Sequence, residues 1–120
     1  MIRRHHISVK NALRGLITAL KSQPNYRVHF LLSTAALVGG FLLKISYNEF
    51  LTIIILIFVG LTIETVNTAI ENTNDAIDIN WREDIRIAKD ASAGAMLIFA
   101  IGALTVAMVI FVPKIVFLFI

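Results

Sequence analysis

The sequence predicts an all-α integral membrane protein, an N-terminal amphipathic surface helix followed by three transmembrane helices, in one domain over residues 1–120. Composition is the first reason. Hydrophobic residues make up 58% of the chain and charged ones 16%, with a mean hydropathy of +0.81, which leaves too few polar side chains to cover a water-soluble domain. The second is distribution: the charges crowd into the first 27 residues and a stretch from Glu64 to Asp90. The third is run length. Uncharged apolar stretches of 14 to 22 residues are too long for ordinary strands and carry no alternating pattern.

Residues 1–22 form the surface helix. Over 8–21, Val9, Leu13, Leu16, Ile17 and Leu20 fall within a wedge of roughly 100° at helical spacing. Lys10, Arg14 and Lys21 flank this wedge, so the helix lies flat on an anionic leaflet. Pro24 disfavours helical backbone at Gln23, which ends the helix near Ser22. Membrane helices are expected at 28–45, 50–78 and 91–112. The first is about 27 Å long and crosses a bilayer if Lys44 snorkels outward. Ile45-Ser-Tyr-Asn-Glu49 reads as a polar turn. In the second helix no Gly or Pro intervenes between Leu61 and Arg82, so it leaves the lipid still wound. Residues 81–90 read as a charged connector. The Ala91-Ser-Ala-Gly-Ala95 cluster then opens the third helix with a close-packing surface, and Pro113 with Lys114 marks its far end.

Of the 11 Lys and Arg residues, nine lie in the N-terminal segment and the connector, leaving Lys44 and Lys114 on the other side. The positive-inside rule therefore puts the N-terminus in the cytoplasm. Arg14 and Lys21 interrupt what a signal peptide would need as its uncharged core. The net charge of +3 comes from basic residues interleaved with apolar ones, the pattern of a membrane surface and not of nucleic-acid binding. Cysteine is absent, which excludes disulfides, thiolate metal sites and cysteine nucleophiles.

The chemistry is concentrated in Glu64-Thr-Val-Asn-Thr-Ala-Ile-Glu71, followed by Asp75 and Asp78. With Glu64 at zero, Asn67 falls near about −60°, Glu71 near −20°, Asp75 near +20° and Asp78 near −40° around a helix. All five share one stripe. An ionised side chain at the bilayer centre costs ~2.5–3.5 kcal/mol even on the lenient scale, so this row needs compensation. Position supplies part of it, since Glu64 lies only about 9 Å from the cytoplasmic edge. A divalent cation would relieve the mutual repulsion of the acids. Lys89 and Asp90 precede the third helix, where a lysine can reach a phosphate. Together these parts suit phosphoryl transfer to a lipid hydroxyl. Two other readings stand beside it: acids paired structurally with Arg or Lys of neighbouring helices, and a small ion- or proton-coupled transporter with Glu64 as relay. His5 and His6 read as solvated surface residues, His29 as an interfacial packing residue, and Tyr26 and Trp81 as interface anchors.

Glu64-x-x-Asn-Thr-Ala-x-Glu71, then Asp75, then Ala88-Lys-Asp90 before small residues, resembles the signature of the prokaryotic diacylglycerol kinase family, over nearly the whole chain. The resemblance implies a trimeric enzyme of the bacterial inner or plasma membrane that phosphorylates a lipid alcohol with ATP and Mg2+. It implies Glu64 as general base with Asn67 in support, Glu71 on the metal with ATP, Asp75 by the nucleotide, and Lys89 with Asp90 at the phosphates and the nucleoside. Asn25-Tyr-Arg-Val-His29 is similar to the undecaprenol kinase branch, which makes the polyprenol the expected substrate over diacylglycerol. Gln23 stands where the family usually has a second metal-binding glutamate. An amide oxygen can ligate magnesium but carries no charge, so a catalytically impaired member with a structural role is the alternative.

Overall fold

A computed structural model describes residues 2–120, with side chains from Ser8 onward; the readings of the His5 and His6 side chains therefore fall outside what is described. Four helices make up the chain: α1 (Ile2–Ser22), α2 (Asn25–Leu42), α3 (Tyr47–Ile77) and α4 (Glu83–Phe117). The all-α expectation holds throughout them. Pro24 follows α1 where its geometry demands a break, and Arg27 N donates back to the Pro24 carbonyl to start α2. α3 and α4, of 31 and 35 residues, are long and apolar enough to cross a membrane. At about 46 and 52 Å they exceed a hydrocarbon layer of about 30 Å. Each therefore carries charged turns beyond its apolar part, Glu71 and Asp75 on α3 and residues 83–90 on α4.

α3 is the central helix, packed against α4 and α2 and touched by α1. Its start is a capping box that replaces most of the expected polar turn. Ser46 Oγ accepts from Glu49 N at 3.3 Å and Glu49 Oε2 accepts from Ser46 N at 2.6 Å, so two otherwise orphaned amides are satisfied. α2 ends in a Schellman turn. Ile45 N donates to the Gly40 carbonyl and Lys44 N to that of Phe41, with Lys44 at φ 51° as the left-handed residue. A Cβ at Gly40 would stand 2.7 Å from Ile45 Cδ1, so the glycine lets the Ile45 side chain fold back onto α2. Ile45 then joins Ile53 and Ile110 in the buried cluster at this end of the bundle, closed by Lys114 Nζ 3.4 Å from Glu49 Oε2.

Every boundary of the three expected membrane helices differs by one or more residues, α2 running 25–42 against 28–45 and α3 starting at 47 against 50, and three of the differences have local causes. The charged connector is short, since α4 already begins at Glu83; Arg86 pairs with Glu83 and Asp90 at helical spacing and keeps those turns wound. α3 stops at Ile77, and Asp78 is extended at φ −161°. Its carboxylate accepts from the backbone and side-chain amides of Asn80, which hold it below the usual carboxylate range, and this takes it off the acidic stripe. Finally, α4 continues through Pro113 to Phe117. The missing N–H of a proline forfeits one helical bond, which an apolar helix tolerates when the turns on either side remain bonded.

Candidate functional site

Four of the predicted site residues lie along α3, and three of them are held by partners on two other segments. Glu71 is the hub. Asn67 Nδ2 donates to its Oε1 at 3.0 Å, and Gln23 Nε2, from the turn between α1 and α2, donates to its Oε2 at 3.2 Å. Asn67 is buried, and its own carbonyl oxygen accepts from Ser92 Oγ of α4 at 2.5 Å. One turn further out, Lys89 Nζ is hydrogen-bonded to Asp75. The structure thus gathers Gln23, Asn67, Glu71, Asp75 and Lys89 at one end of the bundle. Asp90 is not drawn in, since its carboxylate is engaged by Arg86 at 2.6 Å on an exposed face.

Glu64 is set apart, one turn deeper than Asn67. It is fully buried, at 0% exposure, and among the described residues neither of its carboxylate oxygens accepts a hydrogen bond. A buried carboxylate without donors is costly and uncommon in a purely structural role. The nearest opposite partner is His29 Nε2 at 3.9 Å. No Arg or Lys pairs with Glu64 among the described residues, whereas Asp75 is paired with Lys89 of α4 as the structural ion-pair reading expects. Instead Glu64 faces a cavity of about 530 Å³ between α2, α3 and α4. Its walls are apolar, with Leu32, Ile57, Phe99 and Leu104 among them, and its polar lining is Asn25, His29, Ser33 and Glu64.

One expectation about α2 is extended and one is corrected. His29 packs with its ring centroid 6.5 Å from that of Phe99 and also lines the Glu64 cavity. Tyr26 is 1% exposed and so no interface anchor. Its hydroxyl is hydrogen-bonded to Thr65 Oγ1. Because the Thr65 hydroxyl already donates to the Leu61 carbonyl at 2.7 Å, Tyr26 is the donor. That bond docks the first turn of α2 onto α3, which brings Asn25 and His29 to Glu64. Ser92 escaped sequence reading because it sits inside a run of small packing residues. His29 was missed because no helical period links positions on different helices. The available signal was an ionisable ring in an otherwise apolar stretch.

Residues 10–111 match the prokaryotic diacylglycerol kinase family. Among curated proteins, the chain is 36% identical over 107 residues to the undecaprenol kinase of Bacillus subtilis (strain 168), covering 89% of this chain and 87% of that one. It is 29% identical over 108 residues to a diacylglycerol kinase of Synechocystis, covering 89% of this chain and 62% of that one. With the family matched across all of α3, its site residues included, and most of α4, this chain belongs to the prokaryotic diacylglycerol kinase family.

Proposed function

We propose that the protein transfers the γ-phosphoryl group of ATP to the head-group hydroxyl of undecaprenol at the cytoplasmic face of a bacterial inner or plasma membrane. Family membership makes it a lipid kinase, a phosphotransferase with an alcohol acceptor. The observation that carries the finer reading is Glu64, a buried carboxylate with no donor among the described residues, on the wall of an apolar cavity. Such a group is free to accept a hydroxyl proton from a lipid whose tail lies among the cavity walls. As the alcohol oxygen bonds to phosphorus, its O–H bond breaks, the proton passes to Glu64, and ADP departs. The undecaprenol preference rests on the greater identity to the Bacillus subtilis protein and on Asn25-Tyr-Arg-Val-His29.

Asn67 supports the site by fixing Glu71, while Asp75, Lys89 and Asp90 are the proposed contacts for the nucleotide, Lys89 leaving Asp75 for a phosphate. Glu71 and Gln23 are the proposed magnesium ligands. Among the described residues no three His, Asp or Glu side chains converge, so the fit is to an ion held largely by the triphosphate, with Glu71 as its one protein carboxylate. Half a turn of the Gln23 amide presents its oxygen in place of the N–H now given to Glu71. When bound, the ion neutralises charge on the transferred group. In this arrangement α1 lies on the membrane, α2 crosses it as the first of three spans, the N-terminus is cytoplasmic, and three copies assemble. Labelled phosphate transfer from ATP in mixed micelles, offering undecaprenol and diacylglycerol side by side, tests the reading; label on neither lipid overturns it.

A further inference from the structure

Resting on the assignment of Glu64 as the base, we propose that His29 is its positioning residue: the Nε2–H of a neutral imidazole donates to Glu64 Oε2 and leaves Oε1 as the oxygen that receives the hydroxyl proton.

Among the described residues, Glu64 is the only carboxylate on the cavity wall and His29 the only other ionisable group there. Their atoms stand 3.9 Å apart, so a movement of about 1 Å makes a hydrogen bond of ordinary length. Position 60 is glycine, where a Cβ would lie 2.6 Å from Phe99 Cε1 but at an ordinary 3.5 Å from His29 Cε1, so the glycine seats the Phe99 ring beside which His29 lies. The ring stacks obliquely near Phe99 and is mostly buried, at 18% exposure. Asn25 and Ser33 line the cavity one turn on either side, so α2 turns a single polar face toward the base. A carboxylate with two equivalent free oxygens can meet the alcohol with either one. A donor on Oε2 removes that ambiguity and fixes the angle of approach. During transfer the alcohol O–H bond breaks, its proton goes to Glu64 Oε1, the new O–P bond forms and the bond to ADP breaks. The imidazole keeps its proton throughout.

The test compares H29L, H29Q and E64Q in the full-length protein in mixed micelles with undecaprenol and ATP. Glutamine carries an amide nitrogen near the place of Nε2, whereas leucine fills the space without a donor. H29L is expected to lose about tenfold or more in kcat with the KM for lipid within about twofold, and H29Q to return within about threefold of wild type. Near-normal kcat in H29L overturns the proposal. Equal impairment of H29Q and H29L also overturns it, since the imidazole then carries the proton itself. Turnover in E64Q defeats the assignment of the base and not merely that of His29. If H29L does not assemble, the 15N shifts of His29 in the wild-type protein decide: a neutral ring protonated on Nε2 is expected, and a ring protonated on Nδ1 alone overturns the role.

Discussion

At the scale of single residues, the site separates two carboxylates of one helix by their partners. Glu71 accepts an amide on each oxygen, while Glu64 accepts nothing from the described residues. A carboxylate braced by neutral amides stays available to a cation, and one left bare beside an apolar chamber is available to a proton. Glu64→Gln is expected to abolish phosphoryl transfer with folding and assembly intact, since the amide keeps the shape and loses the base; wild-type turnover would exclude the role. Glu71→Ala is expected to raise the magnesium needed for half-maximal rate by at least about tenfold, read from a magnesium titration, and an unmoved curve counts against it. Gln23→Glu is expected to shift that curve the other way. Sequence spacing alone aligned Glu64, Asn67, Glu71 and Asp75, because one helix obeys one period. Their partners Gln23, Ser92 and His29 come from other segments, and no periodicity in a single chain reports distances between helices.

The helices themselves explain how such a site stays open. Gly60 lies on α3 opposite Phe99 of α4, where a Cβ would stand 2.6 Å from the ring. Gly60→Ala is therefore expected to push Phe99 into the cavity at a cost of about 1–3 kcal/mol. Steady-state kinetics should show it as a severalfold rise in the KM for lipid with that for ATP unchanged, and an unaltered lipid KM would remove Phe99 from the substrate wall. Legibility at this scale followed local chemistry. Pro24 announced the end of α1 correctly, because a proline after a break acts on its immediate neighbours. Pro113 did not end α4, because the loss of one bond is small against the burial of Ile110 and the Lys114–Glu49 pair beside it. The Ser46-x-x-Glu49 capping box was written in the sequence and was read only as a turn, though the spacing marks a helix start.

As a whole molecule the chain is long and flat, 58 × 43 × 21 Å, and exposes 9204 Å². A soluble protein of 13.3 kDa would expose about 6,500 Å² by the usual scaling. Much of the excess is apolar, including Leu31, Phe41, Phe58, Ile98 and Val109, so lipid or further protein must cover what the fold does not. The membrane class was legible because it depends on composition, which needs no geometry. The copy number was not, since it depends on how exposed faces match. Light scattering in mild detergent is expected to give three chains per particle, and a monomer would refute the trimer. The burial of Glu64 has one more consequence. A carboxylate at 0% exposure beside a cavity walled chiefly by apolar side chains offers water little to hold it where an alcohol oxygen would sit. Under the proposed role of Glu64, phosphate release from ATP in lipid-free micelles is expected to be slow.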